Sequence, residues 1–455
     1  MTAHPFSREK TMTDPKDILN DLVLRALKSG ADAADAVLVD QASLSVSFRL
    51  GKLEHLNRSE SGDIGLRVLI GKRQSLVSSA DRSPLALGEL VERAVAMAKT
   101  VPEDPYCGLA DASQLATSLP DLDLVDAFEP SAERLIERAK ACEDAARAVK
   151  GVSNSEGAEA GWGRTRFVMA GSNGWLRESA VTSFSQSASV VAGEGTAMAR
   201  DYDWAQTVHH EDLPAPEITG SEAGKRAVRH LGSRKMPTSK VPVVFEARVA
   251  RSLLGHFAGA INGAAIARGT SFLKDSLNSQ IFARGIRIID DPHRLRGLKS
   301  KPCDGEGLPN RRMNFIEDGV LTSWLLDLRS ARQLGLKSTG HASRGTSSPP
   351  SPSPSNLYIE AGAVTVAELI EDIERGFYVT ELFGMGVNGI TGDYSRGASG
   401  YWIEKGKITF PVNEMTVAGN LKDMFLNLTP ACDLDFKAGT DSPTLRIDGL
   451  TVAGG

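Results

Sequence analysis

The sequence predicts an α+β protein, rich in strands and turns, because its hydrophobic period switches between helical and alternating spacing and because glycine is abundant while aromatics are few. Gly fills 44 of the 455 positions and aromatic residues make up 6%, a balance that favours antiparallel strands and tight turns over a helical bundle. At roughly 150 residues per domain, a chain of this length divides into two or three domains. The expected layout is a disordered tail over 1–13, with Met12 as an alternative start, an N-terminal domain of helices and antiparallel strands over 14–234, and a β-rich domain over 235–455.

Asp14-Pro15 offers an N-cap and a first-turn proline, Ile18, Leu19, Leu22, Val23 and Leu27 repeat at helical spacing, and Gly30 supplies a left-handed stop. The period then becomes two. Leu44, Val46, Phe48 and Leu50 alternate with polar residues up to a turn at Gly51-Lys52, and Ile64, Leu66, Val68 and Ile70 alternate up to Gly71-Lys72, which reads as an antiparallel meander with one buried face. Ser83-Pro84 opens a second helix through Ala98, and Ser131 opens a third that ends near Gly151. The Gly-, Ser- and Thr-rich stretch from 152 to 215 reads as strands joined by tight turns, followed by a helix over 221–232. Val241–Phe245 reads as a short apolar strand and Ala247–Ile266 as a buried helix of small residues. Repeated proline in SSPPSPSPS, 347–355, excludes helix and central strand, leaving either a flexible linker or an extended segment lining a cleft. A helix over Thr365–Arg375 precedes the most glycine-dense part of the chain, Gly384–Gly400.

The formal net charge of −5, from 52 Lys+Arg against 57 Asp+Glu, argues against a nucleic-acid binder, which carries a basic stripe to displace counterions from phosphates. No run approaches the roughly 18 apolar residues that span a bilayer, and the N-terminal residues contain no apolar stretch resembling a secretory signal, so a cytoplasmic protein is expected. Cys107, Cys142, Cys303 and Cys432 lack CxxC spacing and read as reduced, mostly packing thiols.

Several motifs can be weighed on chemistry alone. Gly384, Gly386 and Gly389 match GxGxxG, but Thr391-Gly392-Asp393 follows where a dinucleotide site needs a helix, so the glycines read instead as places where another backbone approaches closely. Ser271 and Lys274 form an SxxK pair and Lys337–Gly340 a KSTG, yet no SDN element or GxSxG elbow accompanies them. His209, His210 and Glu211 are adjacent and cannot readily converge on one metal. Asp304 and Glu306, with Asp290-Asp291 upstream, could supply hard oxygen ligands, but a turn whose carboxylates accept backbone amides is the more economical reading. His256 sits in RSLLGH on the helix expected over 247–266. Zinc hydrolases pair helix-borne histidines with a glutamate that activates bound water, and here the corresponding positions are Arg251 and Ser252.

GLRVLIGKRQS, SLLGHFAGAINGAAIARGTSFLKD, CDGEGLPNRR, GVLTSWLLDLRSARQLGLKSTGHAS, SPSNLYIEAG and NGITGDYSRGASGYWIEKGKITFPVNEMTVAGNLKDMF occur in this order. Through these stretches the chain resembles the TldD/PmbA family, and within it the PmbA (TldE) branch, over residues 16–455. The resemblance implies an α+β N-terminal domain, a strand-rich C-terminal domain of barrel-like or sandwich form, bacterial cytosolic expression, and a heterodimer with a TldD-like chain that together form a zinc metallopeptidase for peptides and unfolded segments. In the metal-binding branch the ligands are an HExxxH motif and a C-terminal cysteine. That motif falls on Arg251–His256 here and leaves only His256, and Cys432 does not match the cysteine, so the resemblance implies a metal-free subunit with zinc in the partner.

Glycine-dense, Ser/Thr-rich strands can pair with an extended peptide through backbone hydrogen bonds. The expected substrate or interface residues are therefore His256 in RSLLGH, His341 and Arg344 in the segment 337–344, and Thr391, Gly392, Asp393, Tyr394, Ser395, Arg396, Gly397 and Gly400 in the glycine-dense one. Arg396 is placed to hold a peptide carboxylate, with Tyr394 or His341 lining the cleft. Two further readings stand beside this one: a self-sufficient peptidase that recruits Asp304 and Glu306 to His256, and a binding or modulator protein without proteolytic role. A homodimer of the isolated chain is a further expectation.

Overall fold

The computed structural model describes residues 14–454, so the tail expected over 1–13 lies outside the described residues. Helix α1 (Pro15–Lys28) begins where the Asp14 carboxylate accepts the Lys16 N–H, and Gly30 follows its end at φ +100°. Strands β1 (Ala33–Arg49) and β2 (Lys52–Ile70) form a long hairpin whose two turn residues, Leu50 and Gly51, both have positive φ (49° and 78°). That pairing of left-handed residues matches the right-handed twist of the strands and moves the turn one residue earlier than expected. β3 (Arg73–Ser79) returns along the far end of β2. The Ser83 hydroxyl caps α2 (Pro84–Thr100), and the Ser131 hydroxyl caps α3 (Ala132–Arg147). Then come β4 (Val152–Gly171), β5 (Leu176–Ala192), β6 (Ala199–Thr207) and α4 (Pro216–Arg229), the last opened by Pro216 ahead of the expected 221.

The six strands form one antiparallel sheet in the order β3-β2-β1-β4-β5-β6. Its even-numbered β1 residues face the helices. Ala34, Ala36 and Leu38 meet Leu19, Leu22, Leu90 and Val91 of α1 and α2, while Leu44, Val46 and Phe48 meet Leu135 and Ala139 of α3. Each large apolar side chain buried there contributes about 1.5–3 kcal/mol. α4 lies close against α3 because Gly220 has no side chain: a Cβ there would stand 1.9 Å from the Cys142 carbonyl oxygen.

The C-terminal half starts with β7 (Ser239–Phe245), α5 (Ala247–Ala260) and α6 (Gly263–Ala267). The single helix expected over 247–266 is divided, because Asn262 leaves helical geometry and its side chain accepts the Ala264 N–H to cap α6. Next are β8 (Ile288–Asp290), β9 (Met313–Glu317), β10 (Val320–Leu321), α7 (Leu328–Leu334), β11 (Ala342–Ser343), β12 (Ser351–Pro352), β13 (Leu357–Ile359) and α8 (Val366–Ile370). The chain ends with β14 (Arg375–Phe383), β15 (Asp393–Glu404), β16 (Lys407–Asn420), α9 (Leu421–Leu426), β17 (Leu428–Pro430), β18 (Thr440–Asp441) and β19 (Leu445–Gly454). One sheet runs β16-β15-β14-β7-β19-β17 and closes on itself through a further β16–β19 pairing, giving a barrel; the other runs β10-β9-β8-β13-β18. α5 buries Leu253, Leu254 and Phe257 in the core these sheets share with Phe282, Phe377 and Phe425.

Two expectations are corrected. Arg375 begins a strand, since the Thr365–Glu368 capping box starts a helix that stops at Ile370. The Ser/Pro stretch is no linker: Ser351–Pro352 pairs with β11, the Pro352 carbonyl accepts the Asn262 side-chain amide at 2.9 Å, and fully buried Ser355 donates its backbone N–H to the Asp290 carboxylate at 2.7 Å. Among the described residues, no helix is long and apolar enough to cross a membrane.

Candidate functional site

α5 and the loop over 384–392 enclose a cavity of about 340 Å³ lined by Gly255, His256, Gly259, Phe272, Met385 and Arg396, among others. The loop is held in shape by its own polar groups. The Asn388 side-chain oxygen accepts the N–H groups of Ile390 and Thr391, the Thr391 hydroxyl donates to the Asp393 carboxylate, and Ser395 donates its N–H to the Gly386 carbonyl at 2.7 Å. The Phe272 N–H donates to the Gly389 carbonyl, tying the loop to the opposite wall. Gly386 permits this fold-back, since a Cβ there would lie 1.8 Å from the Ser395 carbonyl oxygen. The structure thus puts no helix after the GxGxxG glycines, and they shape a loop.

His256 projects from α5 beside Tyr394 of β15, with ring centroids 6.1 Å apart and nearly perpendicular. Its Nε2 is buried without a hydrogen-bond partner among the described residues, a condition that costs about 1–3 kcal/mol unless a ligand or water completes it. Burial and the Arg396 guanidinium both lower the His256 pKa, so the imidazole is neutral at neutral pH. Burial pushes the Tyr394 hydroxyl up despite the neighbouring guanidinium of Arg396. Arg396 donates Nε–H to the Gly384 carbonyl at 3.0 Å and has no ion pair among the described residues.

The residues do not fit a catalytic zinc, which requires three protein ligands and an activating carboxylate. The Arg251 guanidinium lies over the Trp204 ring at 5.2 Å and lines a different cavity. The Ser252 hydroxyl donates to the Val249 carbonyl at 2.7 Å. Among the described residues, no three His, Cys, Asp or Glu side chains converge as a ligand set. Cys432, exposed after β17, is not among the residues lining the cavity.

The other predicted residues separate into two groups. Arg396 lines the cavity and Tyr394 backs His256, while Thr391, Gly392, Asp393 and Ser395 build the loop and strand start behind it. Gly397 and Gly400 are packing positions, where a Cβ would meet the Phe383 ring at 2.3 Å and the Tyr378 carbonyl at 2.0 Å. His341 and Arg344 lie elsewhere, which corrects their placement in a common cleft. His341 is 1% exposed, with Nδ1 2.9 Å from the Thr339 hydroxyl and Nε2 3.4 Å from buried Asp290. Arg344 is turned toward β1, where it pairs with Asp35 at 2.9 Å.

Asp304 and Glu306 are turn acceptors. Asp304 accepts backbone N–H groups from Glu306, Leu308 and Ala342, and Glu306 accepts that of Leu328. Burial and adjacent Asp304 push Glu306 up to about 8. The Ser271 hydroxyl is committed to the Ala260 carbonyl at 2.6 Å while Lys274 is exposed beside Asp275, so SxxK is no nucleophile site. His209 bonds Asp123, whereas Glu211 bonds Arg296. Sequence reasoning missed Gly255, Gly259 and Met385; the i,i+4 glycines on a helix were the available signal.

Comparison with known proteins agrees with this architecture. Residues 34–98, 126–231 and 238–454 match family models described as PmbA/TldA metallopeptidase domain 1, central domain and C-terminal domain. The chain is 38% identical over 444 residues to Metalloprotease PmbA of Escherichia coli O157:H7, covering 96% of this chain and 97% of the relative. It is similar to the crystal structure of a candidate modulator of DNA gyrase from Bacteroides thetaiotaomicron, with a TM-score of 0.88 and 28% identity over 97% of this chain and 99% of that one. TldE from Thermococcus kodakarensis shares the fold at a TM-score of 0.83 and 19% identity, over 96% of this chain and 100% of that one.

Proposed function

The chain belongs to the PmbA/TldD metallopeptidase family, in its PmbA (TldE) branch, and from that membership we propose that it is the metal-free subunit of a two-chain cytoplasmic zinc peptidase acting on peptides and unfolded segments. The observation that carries this reading is the α5 ligand frame. His256 is the one ligand-type side chain left in it, and Arg251 and Ser252 are engaged with Trp204 and a helix carbonyl. Zinc, bound by a TldD-like partner, supplies the activated water; this chain contributes to assembly and to enclosing the substrate. An extended substrate suits a cavity walled by glycine backbone, because main-chain contacts give affinity with little sequence preference.

The test is cleavage of fluorescein-labelled unfolded casein by the chain alone, by the TldD-like partner alone, and by their mixture. Activity rises on mixing and is abolished by a zinc chelator in this account. Chelator-sensitive cleavage by the isolated chain would overturn it.

A further inference from the structure

We infer that the His256 cavity receives the C-terminal end of an extended substrate peptide, with Arg396 holding the free α-carboxylate and the glycine face of α5 receiving the peptide backbone. The inference rests on the peptide-handling role proposed above and adds which end of the peptide this chain holds.

The glycines are the first line of argument. Gly220, Gly386 and Gly400 are glycines because another backbone passes within 1.8–2.0 Å of where a Cβ would be. Gly255 and Gly259 are different. Both sit inside α5, both line the cavity, and a Cβ on either would meet nothing within 4 Å. Glycine is a poor helix former, and the chain's own packing gives no reason for it at these two positions. Spaced four apart, they fall on one helix face and leave that face as bare backbone, as do the open positions at Gly389 and Gly384 across the cavity. Bare backbone on both walls leaves room for a third strand of main chain to enter closely.

Charge sets the direction of that strand. Arg396 is the charged side chain of the lining, no acidic residue lines the cavity, and its guanidinium is bonded to the Gly384 carbonyl, with no carboxylate partner among the described residues. A guanidinium at the open edge of such a cavity matches a carboxylate in shape as well as charge. The neutral His256 imidazole, with Nε2 unpartnered, stands beside it. Apart from Thr270, whose hydroxyl donates to the Ala265 carbonyl, the remaining wall is apolar, including Phe272, Val387 and Leu421, and Met385 is 96% exposed. Such walls fit a peptide's side chains, where a small inorganic anion would leave them unused.

The experiment uses fluorescence anisotropy on the full chain with an N-terminally fluorescein-labelled short peptide of Ala, Val and Ser, prepared with a free carboxylate and with a C-terminal amide. The amide binds about ten-fold more weakly than the acid, the gain expected from one charge-assisted contact. Arg396→Gln abolishes the difference. Gly259→Ala weakens both peptides while leaving Tm unchanged or higher, since alanine favours the helix and obstructs only the cavity. Equal binding of acid and amide, persistence of the preference in R396Q, or no binding by either the chain or its mixture with the partner overturns the inference. Displacement of the peptide by partner alone overturns the assignment to substrate and gives the cavity to the partner's own tail. Zinc content on the same sample separates the two proposals: a zinc-free chain that binds both peptides alike sinks the anchor and spares the subunit reading, and a zinc-bearing chain that discriminates does the reverse.

Discussion

Replacing Asp35 by alanine is expected to remove about 3–5 kcal/mol of folding stability, the usual cost of deleting one partner from a buried ionic group, measured by urea denaturation at neutral pH. Asp35 stands on β1 between two cations. Arg67, on the paired position of β2, donates Nε–H at 3.1 Å and a second, shorter bond from its terminal nitrogen, and Arg344 donates at 2.9 Å from the C-terminal half of the chain. Arg67 is 4% exposed and Arg344 9%, so removing the carboxylate leaves two guanidiniums facing one another with little water to screen them. Arg344 is also bonded to the carbonyls of Gly345 and Ser348, so the same deletion loosens the segment that precedes the buried Ser/Pro stretch. The pH dependence follows from the carboxyl itself. Burial alone would raise its pKa, but the attraction of Arg67 and Arg344 prevails and holds it below the ordinary carboxylate range. Its contribution is therefore complete above the unfolded value of about 4 and is lost as pH falls through the lower folded value. In D35A that part of the acid limb disappears. A loss below about 1 kcal/mol would mean that the two arginines find other partners, contrary to this account.

Arg248→Met is expected to cost about 3 kcal/mol at neutral pH and to flatten the acid limb of the stability-pH profile. Arg248, in the first turn of α5, makes two bonds of 2.9 Å to the Asp201 carboxylate on β6 and donates Nε–H to the Thr380 carbonyl on β14 at 3.0 Å. One side chain thus joins the N-terminal sheet, the barrel and the helix that carries His256. Burial opposes ionisation of Asp201, yet the bonds from His230 and Arg248 bring its pKa from 3.8 down to about 2. That depression corresponds to about 2 kcal/mol of stability, present above pH about 4 and lost between there and about 2. Without Arg248 the folded pKa rises toward the unfolded value, so this part of the acid limb flattens and the gap between variant and parent narrows as pH falls from about 4 to about 2; a stability-pH profile of the variant against the parent chain reads it directly. Coincident acid limbs would show that Arg248 is not what ionises Asp201.

What was legible in the sequence was local. α1, α2 and α3 announce themselves through Asp14, Ser83 and Ser131, whose side chains cap the helices they precede, and the β1–β2 hairpin through alternation and one glycine turn. What was not legible depends on partners distant in sequence. Ser355 is pinned by Asp290 and Pro352 by Asn262, so a proline-rich segment that reads as a linker is packed in place. Arg375 reads as the end of the helix that Thr365 opens, but that helix stops at Ile370 and Arg375 pairs with Glu404 as a strand. His341 reads as a cleft residue because a lone polar ring in a Gly/Ser/Thr-rich segment carries no mark of burial. The candidate site divides in the same way. His256, Tyr394 and Arg396 were visible as chemistry, whereas Gly255 and Gly259 gain meaning only once the cavity they floor is seen.

The most direct test of the metal-free reading is elemental analysis of zinc in the chain purified alone from metal-replete buffer, after dialysis to remove loosely held ions. The account predicts a value near zero, unchanged in a His256→Ala variant, because a single imidazole cannot hold the ion. About one equivalent of zinc per chain, lost on substituting His256, would contradict it and point to a ligand set outside the HExxxH frame.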